Sequence, residues 1–98
     1  MSAEDDLERI EAENELALYE EYKAVLQMFS YVVETDRRLY LANDIVVTPH
    51  SDSGTTYVEV LLKDAWVWDM YRPARFLSSV KVITFKDVNV EALPDKDL

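Results

Sequence analysis

The chain has 98 residues, 49% of them apolar and 11% aromatic, which fits one globular domain with a modest core and excludes a disordered polyampholyte. Twenty acids face ten bases, for a formal charge of −10, a balance that repels nucleic acid and anionic membranes and favours basic partners. No cysteine, one histidine and one glycine are present, which excludes disulfides, thiolate chemistry, the usual zinc sites and Gly-rich phosphate loops, so no cofactor is expected.

No apolar run approaches the length of a membrane span, and the acidic start Met1-Ser2-Ala3-Glu4-Asp5-Asp6 does not resemble a signal peptide, so a cytoplasmic protein is expected. The acidity is local. Residues 1–22 hold nine acids and one base, whereas residues 23–98 hold eleven acids and nine bases.

Residues 4–28 are rich in helix formers and free of Gly and Pro, which predicts a long helix, with Ser2 as its cap. Its apolar stripe runs through Leu7, Leu18, Tyr22, Val25 and Phe29, flanked by Tyr19 and Leu26. The stripe is thin before Leu16, so residues 1–13 are expected to be loosely held or to project. Residues 30–43 combine β-branched and aromatic residues with a continuing helical stripe; a break near Ser30 and extended structure by Arg38 are expected.

Ile45-Val46-Val47-Thr48 reads as a strand ending at Pro49, followed by a turn over residues 50–54 that uses the single glycine. Residues 55–63 alternate as the return strand, with Val58, Val60 and Leu62 on one face. Residues 65–68 read as a third strand, with Trp66 and Trp68 on the same side. Pro73 suits the start of a short helix over residues 73–79, and residues 80–86 alternate as a final strand. A short segment over residues 88–93 follows, and residues 94–98 form a frayed tail. The expected fold is α+β in one domain, residues 1–98: a long N-terminal helix, a three-stranded antiparallel meander, a short helix and a final strand.

Two groups of residues are candidates for function. Trp66, Trp68, Tyr71, Arg72 and Arg75 gather the residue types that dominate interface hot spots. The bland alternative puts one tryptophan in the core and pairs the arginines with Asp64, Asp69 or the helix. The second group is Asp44 and Glu59, which fall roughly where the metal-binding acids of a restriction-endonuclease-like fold would lie. Leu61 stands where that pattern needs a lysine, and the net charge opposes DNA, which leaves solvated strand residues as the plainer reading.

The runs Glu15-Leu16-Ala17-Leu18-Tyr19-Glu20-Glu21-Tyr22, Phe29-Ser30-Tyr31-Val32-Val33-Glu34-Thr35, Leu39-Tyr40-Leu41-Ala42-Asn43, Asp64-Ala65-Trp66-Val67-Trp68-Asp69-Met70-Tyr71-Arg72-Pro73-Ala74-Arg75-Phe76 and Val80-Lys81-Val82-Ile83-Thr84-Phe85-Lys86-Asp87-Val88-Asn89 together resemble an actinobacterial family, domain of unknown function 2469. The resemblance spans nearly the whole chain. It implies a cytoplasmic bacterial protein and carries over neither an activity nor catalytic residues.

The residues themselves favour a non-enzymatic interaction or regulatory module that engages a basic protein partner. Direct nucleic-acid binding is not expected. A divergent or degenerate metal-dependent nuclease using Asp44 and Glu59 is the enzymatic alternative, and a homodimer formed through the tryptophan face is the third.

Overall fold

The computed structural model describes residues 3–94. Ser2, and with it the expected cap, lies outside the described residues, as do residues 95–98 of the expected tail. An N-terminal helix α1 (Ala3–Val25) runs into a 3-10 turn at Leu26–Met28, and five strands follow: β1 (Tyr31–Glu34), β2 (Leu39–Asp52), β3 (Thr55–Val67), β4 (Phe76–Thr84) and β5 (Asn89–Ala92). Among the described residues no helix is long and apolar enough to cross a membrane.

The strands form one antiparallel sheet in the order β4-β3-β2-β1-β5. This corrects the expected three-stranded meander with a short helix. Residues 65–67 are not a separate strand but the end of β3, which runs thirteen residues without a turn. Residues 73–79 are not helical: β4 already begins at Phe76, and the Val67 N–H donates to the Arg75 carbonyl at 3.0 Å. A seven-residue helix has little nucleation advantage, and a pairing edge on β3 outweighs the local signal of Pro73. Residues 31–34 and 39–42 settle as a hairpin, whose Thr35 hydroxyl accepts the backbone N–H groups of Arg37 and Arg38.

Pro49 does not end its strand either. β2 continues to Asp52, with Pro49 opposite Val58. β1 pairs only with residues 39–42 of β2, so Pro49 lies on a free edge, where its missing N–H costs no ladder bond. The turn is the tight two-residue pair Ser53-Gly54, both at positive φ (51° and 80°), as a type I′ hairpin requires.

A local inversion governs the sheet's shape. Asp64 sits at φ 52°. Up to Leu62 the even positions of β3 face the larger core (Val60 and Leu62); beyond Asp64 the odd positions Ala65 and Val67 do so. β2 inverts at the facing place, with Tyr40 and Ala42 before it and Ile45 after it in the same core. The Asn43 amide spans the irregularity, donating to Asp64 Oδ2 at 2.6 Å and to the Met28 carbonyl at 3.2 Å.

The connection between β4 and β5 shows that the sheet folds over there. Thr84 lies at the rung of Pro49, while Asn89 lies at that of Leu39, on the opposite edge. In a flat sheet those points would be about 38 Å apart, from ~3.3 Å per residue and ~4.8 Å per strand. Residues 85–88 can bridge only about 17 Å. The two ends of the long β2–β3 hairpin therefore face each other across the first core, and the Thr84 hydroxyl reaches Asp36 Oδ1 at 3.3 Å. The second core lies on the other face, where Leu18, Val25 and Phe29 cover Val32, Leu41 and Trp66.

Candidate functional site

Glu21 follows Leu18 by three residues and precedes Val25 by four, which places an acid on the buried stripe of α1. Two side chains from the far end of the chain satisfy it. The Trp66 indole N–H donates to Glu21 Oε1 at 2.8 Å, and Arg75 Nε donates to the same oxygen at 2.9 Å. The Arg75 terminal nitrogen closes on Glu21 Oε2, completing a two-pronged ion pair. The Arg75 hydrogen bonds hold the Glu21 carboxyl below the usual carboxylate range; burial opposes them and the Trp66 indole adds to them.

Trp66 is 0% exposed. It packs on Tyr22 and stands edge-on to Trp68, with ring centroids 5.9 and 6.1 Å away. Both tryptophans point to the α1 side, as their spacing predicts. Trp68 is half-buried and also meets the Tyr22 ring at 5.2 Å. The loop after it is shaped by Asp69, whose carboxylate accepts the Tyr71 N–H at 3.1 Å and pairs with Arg38 at 3.5 Å. Arg72 donates from Nε to the Ala74 carbonyl at 2.7 Å, and its own carbonyl accepts from Arg75 at 2.9 Å. Tyr71 is 78% exposed.

The five aromatic and arginine candidates thus divide. Trp66 and Arg75 join α1 to the sheet, and Arg72 stabilises its own loop, while Trp68 and Tyr71 border a groove. That groove, about 740 Å³, runs between α1 and the loop and is lined by Ala12, Glu15, Leu16, Leu18 and Tyr19 of the helix, by Arg37 and Arg38, and by residues 68–71. Beyond it α1 is exposed from Leu7 to Ala17. Leu7 lies five helical turns before Val25 and so on the same face, with Ile10 beside it; both are exposed. Among the described residues Glu8, Glu11, Glu13 and Glu15 have no ion-pair partner, whereas Asp6 pairs with Arg9 and Glu20 with Lys23.

Asp44 and Glu59 lie on the outer face of the folded-over half of the sheet. Asp44 faces Lys63, and Glu59 faces Thr48, four rungs away and so about 13 Å along the strand. The Glu59 carboxylate pairs with Lys81 at 3.6 Å and lies 3.8 Å from His50 Nε2, which makes no hydrogen bond among the described residues, and the His50 ring stacks on Tyr57 at 4.9 Å. Among the described residues no group of three His, Cys, Asp or Glu side chains is placed to hold a metal ion.

Sequence reasoning passed over Glu21 as a functional centre of the fold. Its signal was available: an acid between two apolar stripe positions needs a buried partner. The identity of that partner, 54 residues away, was not available.

Comparison with known proteins gives a consistent result. A family model described as Protein of unknown function (DUF2469) matches residues 1–98. Uncharacterised proteins of Mycobacterium tuberculosis and Mycobacterium bovis are each 58% identical over 98 residues, covering 100% of this chain and 96% of theirs. No solved structure gives a significant match.

Proposed function

The chain belongs to the DUF2469 family of proteins of unknown function, and within it we propose a non-enzymatic protein-interaction module that works in the cytoplasm. Its docking surface is the projecting half of α1 together with the groove bordered by Trp68 and Tyr71. One observation carries this reading: unpaired acids and solvent-facing apolar side chains occupy the same stretch. Glu8, Glu11, Glu13 and Glu15 are interleaved with Leu7, Ile10 and Leu16, and Tyr71 lies across the groove. The acids steer a basic partner into contact, and the apolar residues set how long it stays.

The test is affinity capture from the source organism's lysate with three baits: the wild-type chain, Tyr71→Ala combined with Leu16→Ser, and a chain with Glu8, Glu11, Glu13 and Glu15 all changed to Gln. A partner of high isoelectric point, lost with the second bait and weakened with the third, supports the reading. Capture unaffected by either set of changes overturns it. A second copy of the chain is the competing occupant of this surface, and sedimentation at micromolar concentration separates the two.

A further inference from the structure

A second groove shares Arg37 and Arg38 of the turn between β1 and β2 with the first, but it is built on a different element, β4, and rests on a different observation. Among the described residues β4 pairs with β3 along one edge only. Residues 80–84 of β4 form one wall of a groove of about 710 Å³, and the turn between β1 and β2 forms the other. The free edge of a strand presents unpaired N–H and C=O groups at alternate residues, which is a template for a further strand.

Charge and shape narrow the occupant. Arg37, Arg38, Lys81 and Lys86 all line the groove against a single acid, Asp36, in a chain whose net charge is −10. Among the described residues Arg37 has no ion-pair partner, whereas Arg38 pairs with Asp69 at 3.5 Å, Lys81 with Glu59 at 3.6 Å and Lys86 with Asp36 at 4.0 Å, all of them at least partly exposed. The inner side of the groove is apolar, where Tyr40, Val80 and Val82 border the first core. A strand laid on this edge would turn every second side chain onto those apolar groups and the others toward the cations. The contact between Asp36 and Thr84 closes one end.

We propose that this groove is a peptide-binding site that accepts an extended segment of alternating apolar and acidic residues as an added strand on β4. The same cations would attract a polyphosphate, but the overall negative charge opposes nucleic acid, and a strand edge offers it nothing.

The experiment uses the full chain and a fluorescent, end-blocked peptide of four Val-Glu repeats. Anisotropy gives the affinity, and amide hydrogen exchange locates the site. The expected result is saturable binding with slowed exchange in residues 78–84. It should weaken at least about tenfold when Arg37→Glu and Lys81→Glu are combined. It should be lost when alternate peptide amides are N-methylated in both registers, which removes ladder bonds and leaves the charge intact. Circular dichroism confirms that the charge-reversed variant is folded, and Tyr71→Ala, on the other surface, should bind the peptide normally. The proposal is overturned by no binding at about 1 mM peptide, by equal binding of the N-methylated peptides, by protection confined to α1, or by tighter binding of a single-stranded oligonucleotide.

Discussion

Arg75 closes on Glu21 across 54 residues of sequence, and the ion pair is completed by the indole of a fully buried tryptophan, Trp66. This one carboxylate fastens α1 to the sheet. It also explains why an aromatic and arginine-rich run can be only partly a surface feature: Glu21 engages two of its five members, and a third, Arg72, is held by its own loop.

Glu21→Ala should lower the unfolding free energy by about 2 kcal/mol, because the Trp66 N–H loses its acceptor in a buried site and Arg75 loses its partner. Glu21→Gln should cost roughly half as much, about 1 kcal/mol, since its carbonyl still accepts from Trp66. Urea midpoints at unchanged m values measure both.

The same carboxylate gives the chain an acid-sensitive joint. The folded-state pKa of Glu21 is lowered, chiefly by the Arg75 hydrogen bonds. Its contribution to stability is therefore complete above the ordinary glutamate range and is lost as pH falls through the lowered folded value. Thermal unfolding followed from pH 7 to pH 3 should show a steeper acid limb in the wild type than in Glu21→Gln. Equal limbs would assign the acid response to other carboxylates.

Burial raises the pKa of Tyr22 and Tyr40, with the charge of Glu34 assisting at Tyr22. Here the sign is opposite: stability is complete below the ordinary tyrosine value and declines as pH rises through the raised folded values. Tyr22→Phe should reduce the alkaline loss, read from unfolding midpoints between pH 9 and pH 11.

The tryptophans should differ in solution. With Trp66→Phe, emission from the half-buried Trp68 should be quenched by acrylamide. With Trp68→Phe, emission from Trp66 should be strongly shielded, since it is 0% exposed. Tyr71→Ala should change stability by less than about 0.5 kcal/mol, as an exposed side chain with no packing role.

Asp64 is a sharper test of the fold. Asp64→Asn should be nearly neutral, because Asn tolerates the left-handed region and can still meet Asn43. Asp64→Val should cost about 2 kcal/mol or more, since a β-branched residue at positive φ is strained and the 2.6 Å hydrogen bond is lost. Denaturant titration of the two variants decides. Comparable losses would mean that the inversion does not depend on this residue's backbone geometry.

The legible parts of this protein were those governed by neighbours in sequence. The helix over residues 4–28, the alternation of Val58, Val60 and Leu62, the common side of Trp66 and Trp68, and the glycine turn all follow from side-chain periodicity and local sterics. The acidic pole followed from counting charges, and the family from runs of residues along the chain. The failures share one cause. Residues 73–79 carry a helix-start signal but lie where β3 offers an unpaired edge, and ladder hydrogen bonds from the second strand outweigh a local preference. Pro49 reads as a strand end, yet is harmless on an edge that only the strand order defines.

Alone, then, the sequence determined a single acidic α+β chain with a long amphipathic helix, a hairpin and an aromatic cluster facing one way. The tertiary structure decided that Asp64 inverts the sheet, that Glu21 holds Trp66 and Arg75, and that among the described residues β4 has an unpaired edge beside Arg37, Arg38, Lys81 and Lys86. Each of these depends on groups far apart in the chain meeting through hydrogen bonds and packing, and no periodicity of a linear sequence encodes which distant partner a residue will find.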